Sequence, residues 1–167
     1  MKEPNRISKQ LEYSKRTHFT DEFVLVDGIT RAGKFGLAHV VSALEGVEFF
    51  QYPFLLETLL YLNRLGKIDF ETCRNLLHVD YDLRVFDSMI GRNLNTRVHD
   101  LSCIHKMANF EQYTTRAEIE DRDLLVKKFL SDKRLPFHIN HEGLANARTL
   151  FKIFPKVKVI NVVRDPV

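Results

Sequence analysis

The chain has 167 residues, 44% of them hydrophobic and 28% charged, with a formal net charge of +3. That length supports one domain with its own core, and the composition excludes a disordered or fibrous chain. A charge this small and dispersed gives no argument of its own for nucleic-acid binding, and none is expected; no apolar run reaches the roughly 18 residues a membrane-spanning helix needs. Cys73 and Cys103 have neither metal-ligand spacing nor a disulfide framework, and the N-terminus lacks a secretory apolar region. Reduced cysteines in a cytoplasmic protein are the expectation.

Residues 1–20 read as a polar leader and residues 21–167 as a single α/β domain. A β-branched-rich strand is predicted over 22–27, a glycine-framed loop after it, and a helix over 36–45. Gly46 closes that helix before a short strand at 47–51. Pro53 opens an apolar helix over 54–66, capped by Gly66. Asp69 is the expected N-cap of a helix over 69–78, with Thr72 in the capping-box position, and a separate helix follows over 80–91. The stretch 92–116 is polar and irregular, and His99, Asp100, Cys103 and His105 match no metal-ligand spacing. A helix over 117–132 has acids early and lysines late, in agreement with the helix dipole. A strand at 136–140, a helix over 143–153 and a last strand at 157–163 complete the pattern. That last run, VKVINVV, has the composition of a central strand, and Pro166 ends it. Strands separated by helices indicate a parallel α/β sheet, with the helical middle forming a cap or acceptor-binding region on one side.

The loop carries the chemistry. Gly28 and Gly33 permit conformations that bulkier residues resist, so backbone N–H groups and a helix N-terminus converge on one point. Arg31 and Lys34 strengthen the preference for phosphate or sulfate. Gly28 to Lys34 fits GxxxxGK, but the following position, where a Ser or Thr would hold magnesium, is Phe35. At the other end, Arg164 stands where the last strand gives way to loop, on the rim where parallel sheets bind ligands. Arginine suits a phosphate grip through two parallel hydrogen bonds.

The stretch Phe154-Pro155-Lys156-Val157-Lys158-Val159-Ile160-Asn161-Val162-Val163-Arg164-Asp165-Pro166, taken with the loop, resembles the sulfotransferase family that uses 3′-phosphoadenosine 5′-phosphosulfate (PAPS). In that family a stretch like FPxxKxIxxxRDP brings an arginine to the donor's 3′-phosphate, and a loop like RSGTT holds the 5′-phosphosulfate. Here Arg31 and Gly33 fit the loop, Ala32 replaces the serine and Lys34-Phe35 replace the threonines. The resemblance implies a three-layer, P-loop-like sandwich with a central parallel sheet and a helical insertion. It implies that Thr30, Arg31, Ala32, Gly33, Lys34 and Phe35 hold the donor's 5′ end, that Arg164 holds its 3′-phosphate, and that no metal is required. Relatives also use a serine beyond the RDP arginine, whereas this chain ends at Val167, so the expectation is the N-terminal part of a longer domain.

The implied reaction is sulfuryl transfer to a hydroxyl or amine of a carbohydrate, peptide, lipid or small alcohol. Arg31 would neutralise charge on the sulfuryl group, and an acceptor hydroxyl would need a general base. Glu48, near the second strand, is the first candidate, followed by Glu57, His141 and His138. Phe49, Phe50, Tyr52 and Phe54 read as core or as stacking surface. Two alternatives stay open: a P-loop kinase or NTPase with Asp165 in the second acidic motif, and a non-catalytic protein that keeps the fold.

Overall fold

The computed structural model describes residues 18, 19 and 21–165. Pro166 and all of the predicted leader except His18 and Phe19 lie outside the described residues. The elements run β1 (Val24–Asp27), α1 (Lys34–Ser42), β2 (Val47–Gln51), α2 (Phe54–Arg64), α3 (Phe70–Met89), α4 (Phe110–Glu118), α5 (Arg122–Ser131), β3 (Leu135–Ile139), α6 (Ala147–Ile153) and β4 (Lys158–Asn161). Short 3-10 turns at Ile104–Lys106 and Gly143–Asn146 precede α4 and α6.

All four strands are parallel, in the order β2-β3-β1-β4. Successive side chains of β1 point to opposite faces, as the pleat requires. Val24 and Val26 enter one core with Ala38, Val41, Phe50, Phe137 and Tyr113. Phe23 and Leu25 enter the other with Leu60, Leu77, Phe129 and Leu150. A strand buried on both faces needs a continuous apolar run, which is what β1 has. Helices α1 and α4 therefore cover one face, and α2, α3, α5 and α6 cover the other. The result is an α/β fold with helices on both sides of a parallel sheet. No helix among the described residues is long and apolar enough to cross a membrane.

Four local expectations change. The helices expected at 69–78 and 80–91 are one helix, α3, because Cys73, Leu77, Tyr81, Val85 and Met89 are all buried and continue a single i,i+4 stripe through the supposed break. The start expected at 117 moves to Arg122: Asp121 caps α5 by accepting from the Leu124 N–H at 3.1 Å, and residues 110–118 belong to α4. The helical middle does not sit on one side, since α2 and α3 pack on one face and α4 on the other. Finally, β4 is an edge strand whose neighbour is β1, with Lys158, Ile160 and Asn161 exposed. β-branched composition reports fit to a pleated surface, not rank within the sheet. The N-cap at Asp69 forms as expected, accepting from the Thr72 N–H at 2.8 Å.

Candidate functional site

Strands β1 and β3 are neighbours, but the chain leaves them in opposite directions. From β1 it runs through α1 on one face to β2; from β3 it runs through α6 on the other face to β4. Such a switch point opens a crevice above the carboxyl ends of the two strands, the usual ligand position in an open parallel sheet. At this switch point Lys34, which begins α1, meets His141, two residues beyond β3. The Lys34 Nζ lies 2.8 Å from His141 Nδ1.

The loop from Gly28 to Gly33 is shaped by three left-handed or glycine-only conformations. Gly28 has φ 140°, and a Cβ there would stand 2.3 Å from the Val162 carbonyl oxygen of the chain leaving β4. Arg31 has φ 66°, uncommon for a side-chain-bearing residue, and Gly33 has φ 96°. Such reversals of handedness turn successive N–H groups to one side and create an anion-binding concavity. Gly33 is also the N-cap of α1 and offers no side-chain cap, so the first N–H groups of that helix stay open to a ligand.

Lys34 is folded back over this loop. Its ammonium donates to the carbonyls of Gly28 and Ile29, the latter at 2.8 Å, and the side chain is buried. Burial pulls its pKa down, while the negative charges of Asp27 and Glu57 pull the other way. Because Lys34 is a donor only, His141 Nδ1 acts as the acceptor and the ring proton sits on Nε2.

Two carboxylates hold the segment after β3 in position. Buried Asp27, the last residue of β1, accepts from the N–H groups of Gly143 and Leu144 at 3.0 and 2.8 Å. Glu57, in the first turn of α2, accepts from the N–H groups of His141 and Glu142 at 2.6 and 3.1 Å. The Tyr52 hydroxyl donates to the same carboxylate, and its ring centroid is 4.9 Å from that of His141. Burial, followed by the Glu57 charge, pushes the Tyr52 hydroxyl well above its ordinary pKa.

The remaining expected residues divide into two groups. Thr30, Arg31 and Gly33 are exposed in the loop, Ala32 is half-buried, and Phe35 packs edge-on against Phe50 at 5.8 Å. Asp27 and Asn161 are register partners in adjacent parallel strands, so Arg31 and the exposed Arg164 leave the sheet from the same end. Glu48 is elsewhere. It lies near the amino end of β2, three residues before Gln51, a descent of roughly 10 Å at strand geometry. There it is enclosed by Arg116, at 2.7 Å, by Arg134, and by the Ser88 hydroxyl. Burial alone would push its carboxyl pKa up, but the hydrogen bonds and charges of the two arginines outweigh that and hold it low. His138 is buried on the α3 side of the sheet, edge-on to the rings of Phe23 and Tyr81.

Thus Glu48 and His138 do not reach the loop, whereas Glu57 and His141 do. The available signals were modest: an acid in the first turn of an otherwise apolar helix, and a histidine just past a strand end. Among the described residues, no three or more His, Cys, Asp and Glu side chains are grouped to hold a metal. Compared with protein families, curated proteins and solved structures, the chain matches none.

Proposed function

We propose that the chain binds PAPS in the crevice above β1, β3 and β4 and transfers its sulfuryl group to an acceptor hydroxyl or amine. One observation carries this reading: Arg31 and Arg164 follow neighbouring parallel strands at the same end, and Arg31 stands in the turn that leads into the open N-terminus of α1. Two cations at one end of the sheet suit one ligand with two separated anionic groups. The loop N–H groups, Arg31 and Lys34 would take the 5′-phosphosulfate, and Arg164 the 3′-phosphate. The P-loop-like, sulfotransferase type of the fold and a cytoplasmic setting belong to the same reading. The buried free thiols of Cys73 and Cys103 are in keeping with that setting.

In the reaction the acceptor oxygen attacks sulfur in line, the bond from sulfur to the phosphate oxygen breaks, and adenosine 3′,5′-bisphosphate departs. Positioning and charge stabilisation supply the rate. Before donor binding the Lys34 ammonium holds His141 Nδ1. An incoming phosphosulfate draws that ammonium away, freeing Nδ1 to take the acceptor proton. His141 thereby replaces Glu48 as the proposed base, and Glu57 orients it through the backbone.

Thermal unfolding tests the reading. Adenosine 3′,5′-bisphosphate without magnesium is expected to stabilise the protein, by about 2.7 kcal/mol at a hundredfold excess over Kd. Arg31→Ala and Arg164→Ala should each reduce that gain. GxxxxGK favours a P-loop kinase as the second reading, and stabilisation by Mg-ATP alone would move the assignment there. Silence toward both nucleotides would leave a non-catalytic protein.

A further inference from the structure

A cavity of about 240 Å³ lies beside the first turn of α1, between β2, the carboxyl-terminal half of α3 and the segment 93–102. Its lining is divided by chemistry. Phe35, Phe50 and Tyr52 contribute aromatic surface, while Gln51, Asp87 and Asn95 contribute donors and acceptors. Asp87 is the informative member. It is only 4% exposed; its Oδ2 accepts from Asn93, while its Oδ1 has no hydrogen-bond partner among the described residues. The Arg92 guanidinium stands 3.8 Å from that oxygen, outside hydrogen-bond reach. A buried carboxylate oxygen without a donor is costly, and because Asp87 lines the cavity, a ligand's donor that reached this carboxylate would relieve that cost.

We propose that this cavity is the acceptor subsite and receives one neutral, polyhydroxylated ring, a sugar unit, with a hydroxyl donating to the Asp87 carboxylate. The word acceptor rests on the sulfuryl-transfer reading; the binding chemistry does not. Aromatic walls cover the C–H faces of such a ring, and planar carboxylate and amide groups match its neighbouring hydroxyls. A phenol carries a single hydroxyl and would leave most of those polar groups unmatched. An anionic ring would meet the Asp87 carboxylate, and Arg84, the cation on the lining, is already paired with Asp80 at 2.8 Å. The volume is below the roughly 300 Å³ at which pockets for drug-sized ligands begin, and suits one ring. Tyr52 joins the subsite to the loop, since it lines the cavity while its hydroxyl donates to Glu57 and its ring packs on His141.

Saturation-transfer NMR and calorimetry with methyl hexosides, p-cresol and a methyl glucuronide, each with and without adenosine 3′,5′-bisphosphate, test the assignment. Saturable binding of neutral hexosides is expected, weakened at least tenfold by Asp87→Asn. In that variant the amide must turn its oxygen to Asn93 and its NH₂ into the cavity, removing the acceptor. Gln51→Leu should also weaken binding, and carries the test should Asp87→Asn fail to fold. Absence of saturable hexoside binding, tighter binding of p-cresol or the glucuronide, or insensitivity to both substitutions would overturn the proposal. Because sugars are measured without the nucleotide as well, failure of donor binding and failure of this subsite are read separately.

Discussion

His138 makes the stability of this fold depend on acid in a calculable way. The ring is buried against Phe23 and Tyr81, and neither ring nitrogen has a hydrogen-bond partner among the described residues. Burial lowers its pKa to about 3, with the Arg84 charge adding to the shift and the Gln51 backbone of the adjacent strand opposing it weakly. An unfolded chain takes up that proton near pH 6.5, so the unfolded state binds more protons throughout the interval between the two values. Stability therefore falls as pH drops from 6.5 toward 3, by about 1.4 kcal/mol per pH unit from this residue alone. Between pH 6.5 and 4 that is about 3 kcal/mol, a large share of the 5–15 kcal/mol typical of a domain. His138→Phe keeps a flat ring in the same aromatic surroundings and removes the proton site. Urea unfolding followed by far-ultraviolet circular dichroism at pH 7, 6, 5 and 4 should give two curves that separate as pH falls, the variant losing less. Parallel curves would refute the reasoning.

Glu48→Gln should cost about 3–5 kcal/mol in urea unfolding, because Arg116 and Arg134 would be left without their shared counter-charge. In the folded variant, the stabilisation by adenosine 3′,5′-bisphosphate should persist; its loss would return Glu48 to the donor site. With its pKa held low, the Glu48 carboxylate contributes stability above the ordinary carboxylate range, lost as pH falls through its lower folded value. Gly28→Ala should destabilise by about 2 kcal/mol or more, from the φ of 140° and the contact with Val162. Gly36→Ala, where a Cβ meets nothing within 4 Å, should stabilise α1 by up to about 1 kcal/mol. Equal effects in thermal unfolding would contradict the geometry assigned to the loop.

Local chemistry was well written in the chain. Asp69 and Pro53 punctuate the elements where capping preferences put them, whereas α1 ends at Ser42, short of Gly46, and the runs at 24–27 and 135–139 are strands. The glycine loop is legible because Gly28 and Gly33 occupy backbone conformations that other residues avoid. Glu48 misled for a physical reason: a carboxylate on a strand looks the same in sequence whether it faces a ligand or two arginines 68 and 86 residues away.

From its own residues the chain determines a parallel α/β sheet, a glycine-framed turn after the first strand and an arginine at the end of the last, since each rests on periodicity or backbone preference over a few neighbours. Tertiary structure alone decided that β4 lies at an edge, that α3 is continuous against the core, and that Lys34, Glu57 and His141 share one crevice. Hydrophobic patterning reports that a residue is buried but not what buries it, so strand order and the gathering of distant side chains emerge only when the sheet pairs.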